Sequence, residues 1–174
     1  RYVADNIMTP IVSRMRDQEI EYKGFLYAGM MRCGDDHYVI EFNCRMGDPE
    51  CQPAMMMLQS DLDENIVDTL EGRQPDISVK KGAALCVVLA SDGYPDNYSD
   101  YKGRVIYGLN DADWIEGVKV FHAGTKYSDG FTVVSGGRVL GVTKYSAISI
   151  MHARDLAYEA ALKIDVLGGF HYRK

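Results

Sequence analysis

Two short apolar runs on either side of a turn constrain this chain most. Phe25-Leu26-Tyr27-Ala28-Gly29-Met30-Met31 and Tyr38-Val39-Ile40-Glu41-Phe42-Asn43 flank Gly34-Asp35-Asp36. The runs read as strands and the turn as a hairpin connection, so an antiparallel ribbon is predicted. Strand side chains alternate between faces. Ile40, Phe42 and Cys44 are therefore predicted to face a core, and Glu41, Asn43 and Arg45 to share the opposite face.

Helical periodicity surrounds this ribbon. Ile7, Ile11, Val12 and Met15 mark one side of a helix over residues 5–20, with Thr9-Pro10 as a possible start. Met55, Leu58, Leu62, Ile66 and Leu70 recur at spacings of three and four over residues 53–71. Asp61 and Glu64 have capping-box spacing inside that stretch, which splits it into two helices if the cap forms. Gly72 is a natural stop.

Past Gln74-Pro75-Asp76 the texture changes to β-branched residues. Ala84–Ala90 is predicted as a buried strand, and Arg104–Tyr107 and Val118–His122 as further short strands. Phe131–Val134 and Arg138–Thr143 flank Ser135-Gly136-Gly137, a predicted hairpin. Residues 149–165 form the last amphipathic helix. The expected class is α+β, with a boundary between residues 1–75 and 76–174.

Composition narrows the function. The chain has 174 residues, 47% of them apolar, enough for a real core without disulfide staples. Its four cysteines lack C-x-x-C spacing, so reduced, intracellular thiols are expected and zinc is not. Nineteen basic against 25 acidic side chains give a net charge of −6. That balance disfavours nucleic acid as a partner and leaves room for a local basic pocket. No apolar run is long enough to span a membrane.

The chemistry concentrates in Glu41-Phe42-Asn43-Cys44-Arg45-Met46-Gly47-Asp48-Pro49-Glu50-Cys51-Gln52. A carboxylate and a carboxamide on one strand face offer two hard oxygen donors, a set that suits Mg²⁺ (or Mn²⁺) with phosphate and water completing the shell. Arg45 would contact a phosphate through its planar fork. The same trio equally reads as the solvated face of an amphipathic ribbon. Asp48 equally reads as a helix cap. Lys102, Arg104 and Lys126 are expected to solvate loops rather than bind a phosphate.

These twelve residues resemble the signature of the phosphoribosylamine–glycine ligases, ATP-grasp enzymes of purine biosynthesis. Tyr22–Gly29, Gly93-Tyr94-Pro95, Phe121–Thr125 and Gly137–Leu140 are similar to further segments of that family, in the expected order. The resemblance implies that residues 1–75 are the C-terminal part of an ATP-grasp domain. Residues 76–174 would be a small, mostly antiparallel domain with one packed helix. It implies ATP-dependent joining of glycine to 5-phosphoribosylamine through a glycyl phosphate, in the cytoplasm. Glu41 and Asn43 would hold the metal, Arg45 would stabilise the transferred phosphoryl group, and Asp48 and Glu50 would line the substrate side.

Family members are more than twice as long. The resemblance therefore implies a partner segment, the N-terminal part of the same enzyme, and no ligase activity from this chain alone. Two other readings compete: a non-catalytic α+β interaction module, and an ATP-grasp ligase for another carboxylate.

Overall fold

Antiparallel pairing dominates the computed structural model, which describes residues 2–173. The chain divides into two units, Arg1–Asp48 with Ser60–Ser78, and Pro49–Gln59 with Val79–Lys174.

In the first unit a π-helical turn, Ala4–Met8, runs directly into helix α1, Thr9–Asp17. Pro10 lies in the first turn of α1, where its missing N–H costs nothing. Tyr2 stacks on His37 at 4.8 Å between ring centroids and so ties this helix to the ribbon. Strand β1, Tyr27–Cys33, pairs with β2, Asp36–Asn43, as the alternation predicts. Gly34 opens the two-residue turn at φ 63°, a backbone angle that a side chain would resist.

The ribbon's apolar side is not buried. Ile40 is 64% exposed and Phe42 37%, and Cys44 is exposed too, against the expectation that they enter a core. Alternation assigns residues to faces; it does not supply a layer to cover a face. The ladder also skips Ile40, since Gly29 pairs with Glu41 and Met30 with Val39. This is a β-bulge in the middle of β2.

The 53–71 periodicity resolves into two helices. Helix α2, Cys51–Met57, ends where Leu58 turns extended. Asp61 then caps helix α3, Leu62–Leu70, accepting from the Asp63 and Glu64 amides at 2.8 and 3.1 Å. Buried Asn65 donates to the Ser60 hydroxyl and the Asp61 carbonyl, which fixes the start of α3. Gly72, at φ 77°, stops it.

The second unit is built on β3 (Ala83–Ala90), β8 (Arg138–Ser146) and β5 (Val118–His122), with β8 in the centre. Between them in the chain come β4 (Ile106–Tyr107), α4 (Leu109–Asp113), β6 (Thr125–Ser128) and β7 (Phe131–Val134). Helix α5, Ile150–Ala161, and β9, Asp165–Val166, follow β8. Ser149 caps α5, its hydroxyl accepting from the His152 amide. The helix buries Ala153, Ala157, Ala160 and Ala161, small residues that let it sit close to the sheet. Leu89, Leu140 and Val142 of the same core are at most 1% exposed. Each fully buried leucine stabilises the fold by about 1.5–3 kcal/mol. Helix α2 meets the sheet at Gly141, where Gln52 and Cys86 crowd the missing side chain. The four cysteines are not joined in disulfides.

The predicted hairpin across Ser135-Gly136-Gly137 does not form. Strand β7 pairs back with β6 instead, across Asp129-Gly130, at φ 52° and 87°. Both central residues thus have the positive φ of a tight hairpin turn, which Asp-Gly favours. Ser135–Gly137 is a crossing of backbones: the Ser135 and Gly136 amides both donate to the Gly124 carbonyl, and Ser91 donates to those of Gly136 and Gly137. A Cβ on Gly137 would lie 2.2 Å from the Tyr94 ring. The Gly137→Ala variant is expected to lose about 1–3 kcal/mol of stability through overpacking, measured by urea denaturation of the chain.

Candidate functional site

The site is best built from the ladder of the ribbon. Tyr27 lies opposite Asn43 and Gly29 opposite Glu41, so these four residues share one face. Gly29 is buried. A Cβ there would stand 3.1 Å from Cγ of Glu41 and 3.6 Å from the Tyr27 ring. The Glu41 side chain thus lies across a glycine, with the tyrosine beside it. The glycine makes room for the carboxylate, a role that alternation alone could not reveal. Its sequence signal is a lone glycine inside a strand, which often marks a close approach.

Asn43 ends β2 half-buried. Its Nδ2 is buried with no hydrogen-bond partner among the described residues. An unsatisfied carboxamide group inside a fold is costly and commonly marks a binding position. Among the described residues no ion pair or side-chain hydrogen bond engages the Glu41 carboxylate.

Arg45 lies beyond the end of the strand, in a bend, so the alternation that joins Glu41 to Asn43 stops short of it. Its guanidinium donates to the Met46 carbonyl at 2.9 Å and is exposed. Asp48 is an exposed turn residue that ends the first unit's opening segment. Glu50 belongs to the second unit, at the N-terminal end of α2, and its side chain does not cap that helix. The structure therefore brings Glu41 and Asn43 together on the ribbon, and holds Arg45 and Asp48 in the loop that follows.

No cluster of three or more His, Cys, Asp or Glu side chains suited to a metal exists among the described residues. One carboxylate and one carboxamide oxygen are still enough for a hard cation that takes its remaining ligands from phosphates and water. His122 is held at its strand end by a 3.0 Å contact between Nδ1 and the Thr125 hydroxyl. Arg104 is engaged by the Tyr101 ring, 4.1 Å away, and by the Leu167 carbonyl. Both are thus accounted for by the fold.

Comparison with known proteins fits this arrangement. Residues 1–51 match the phosphoribosylglycinamide synthetase ATP-grasp (A) domain, so the ribbon belongs to an ATP-grasp segment. Residues 84–174 match the phosphoribosylglycinamide synthetase C domain. The chain belongs to the phosphoribosylglycinamide synthetase family. It is 44% identical over 165 residues to a phosphoribosylamine–glycine ligase of Rhodopirellula baltica, covering 93% of this chain and 37% of that protein. It is 42% identical over 175 residues to the chloroplastic ligase of Arabidopsis thaliana, covering 97% and 32%. The crystal structure of the Thermotoga maritima phosphoribosylamine–glycine ligase superposes with a TM-score of 0.77 at 32% identity, covering 91% of this chain and 38% of that one. The chain thus spans about two fifths of the length of these bacterial relatives. The resemblance read from residues 41–52 is upheld. No helix among the described residues is long and apolar enough to cross a membrane.

If Gly29 seats Glu41, a larger residue must move it. The Gly29→Val variant is expected to leave the ribbon paired and to shift the Glu41 Cγ resonances in a two-dimensional NMR spectrum. Unchanged Glu41 resonances would show that the glycine does not position this side chain.

Proposed function

We propose that this chain is the C-terminal part of an ATP-dependent ligase that joins glycine to 5-phosphoribosylamine in purine biosynthesis. What carries this reading is the shared face of Glu41 and Asn43 within a segment matched to the family's ATP-grasp domain. Residues 1–75 complete the ATP-grasp domain and residues 76–174 form the ligase's C-terminal domain. The remaining N-terminal part of the enzyme is the partner on which turnover depends, and the whole acts in the cytoplasm.

Glu41 and Asn43 would hold Mg²⁺ (or Mn²⁺). The hard-oxygen donor set on one strand face supports that fit, while the unsatisfied Asn43 Nδ2 is a donor suited to a phosphate oxygen beside the cation. When bound, the cation would screen charge on the ATP phosphates. The reaction proceeds in two displacements. The glycine carboxylate attacks the γ-phosphorus and ADP leaves, giving glycyl phosphate. The amine of phosphoribosylamine attacks the carbonyl carbon, loses a proton and expels phosphate, giving the amide. Arg45 faces the phosphoryl oxygens with its planar donor fork. Asp48 and Glu50 line the substrate side, where a carboxylate attracts the glycine ammonium. Positioning and charge stabilisation account for the catalysis, as they do in phosphoryl transfer generally.

The test is Glu41→Ala in the complete enzyme. Turnover is expected to fall by about a hundredfold or more, with the folded state retained by circular dichroism. The same variant is expected to need a higher Mg²⁺ concentration for half-maximal rate. A near-normal kcat with ordinary Mg²⁺ dependence would remove Glu41 from the mechanism.

A further inference from the structure

One edge of the second unit's sheet is closed by a side chain rather than by a strand. Strand β5 lies at the margin of the three-stranded sheet, with β8 along its inner side. In an antiparallel ladder alternate residues point their backbone groups at the partner strand and the others point them away. The Gly117 carbonyl accepts from the Tyr145 amide, and the Ala123 amide donates to the Val139 carbonyl. Odd-numbered residues along β5 therefore bond to β8, and Val118, Val120 and His122 turn their backbone groups outward. An outward row of this kind is a template for another strand.

Two of those outward amides are already engaged. Val118 donates to the Ile115 carbonyl at 3.0 Å. Val120 donates to Asp113 Oδ1 at 2.8 Å. Asp113 is the last residue of α4, and the neighbouring Ala112 is fully buried in the core. Packing of that short helix thus sets the carboxylate against the strand edge. The other oxygen, Oδ2, lies 3.4 Å from the Lys119 ammonium, on a side chain that is 57% exposed, so this ion pair is weak. The bond to Val120 is of a different kind, because its acceptor is charged and its surroundings are partly buried. An open groove lined by Asn110, Asp113, Trp114, Val118 and Lys119 runs beside the strand, and Trp114 is 86% exposed. The edge is therefore reachable from solvent, next to an apolar side chain that would add to any contact made there.

We propose that Asp113 is a guard that shuts the β5 edge against a second copy of this chain. Strand addition needs the Val120 N–H as a donor. The carboxylate holds that donor and fills the space an incoming carbonyl would need. With the carboxylate gone, two β5 edges match each other. About a two-fold axis through Val120, the two copies of this residue exchange N–H and carbonyl bonds, an isologous antiparallel pairing that joins the two sheets. Charged side chains blunt sheet edges in general; here one carboxylate is aimed at one amide. The guard involves no residue of the ribbon, so it stands or falls apart from the ligase reading.

The experiment is light scattering after size-exclusion chromatography of the 174-residue chain, over a series of concentrations. Wild type is compared with Asp113→Asn, Asp113→Ala and the double variant Asp113→Ala/His122→Pro. Asparagine keeps the Oδ1 acceptor, and alanine removes it. Proline at 122 removes an outward amide and leaves the ladder to β8 intact. Asp113→Ala is expected to dimerise with a Kd at least about tenfold below that of wild type. Asp113→Asn is expected to match the wild type, and the double variant to return to it. An Asp113→Ala chain that keeps the wild-type mass throughout overturns the proposal. So does association that Asp113→Asn shows equally or that His122→Pro leaves in place. Hydrogen exchange of the wild-type chain gives a reading that needs no variant. After correction for intrinsic rates, the Val120 amide is expected to exchange at least about tenfold more slowly than the His122 amide. Equal rates would show that the guarding bond does not form, and would overturn the proposal even where Asp113→Ala fails to fold.

Discussion

Strand β8 is the constraint on which the second unit depends. It pairs along both edges, with β3 on one side and β5 on the other, and seven of its nine residues are buried. A strand in that position satisfies its backbone groups entirely through neighbours, since water cannot reach them. Everything around it follows from that requirement. Residues facing α5 must be apolar, as Leu140 and Val142 are. Gly141 must lack a side chain where Gln52 and Cys86 press close. Thr143, Lys144 and Ser146 are buried polar exceptions, and the Lys144 ammonium donates to the Glu116 carbonyl at 2.6 Å. A buried cation without such a partner would oppose folding.

The first unit follows a different logic. Its ribbon leaves Ile40, Phe42 and Glu41 exposed, and the ladder sets which side chains share the face of Glu41 and Asn43. Cross-strand pairing sets the carboxylate over Gly29 and the carboxamide opposite Tyr27. The bulge at Ile40 matters here, because an extra residue changes which side chains fall together. Polar donors placed by backbone register, rather than by a packed core, suit a surface that other groups must reach.

Much of this was legible from residue order. Strand-length apolar runs located β1, β2, β3 and β5, and the Asp61 cap split the helical stretch as its spacing suggested. The Glu41–Asn43 pairing was legible too, since two residues apart in a strand means one face. What failed was choice of partner. Ser135-Gly136-Gly137 has the composition of a hairpin, yet its glycines serve close backbone crossings at Gly124 and the Tyr94 ring. Asp129-Gly130, five residues earlier at its nearest, makes the turn instead. Small residues announce that a side chain is unwelcome; they do not say whether a turn or a neighbour forbids it.

By itself, the order of amino acids determined the α+β class, the hairpin, the shared face of two oxygen donors and the family, because each depends on local periodicity or on a contiguous motif. Tertiary structure alone decided that Ile40 and Phe42 stay uncovered, that Arg45 lies off the strand, and that Gly29 seats Glu41. It alone assembled Arg138, Arg154, His171 and Arg173, drawn from a strand, a helix and the chain's end, around one cavity. Residues that far apart in sequence share no period and no motif. Only the pairing of Ala90 with His171, and the packing of α5 on the sheet, bring them to one cavity.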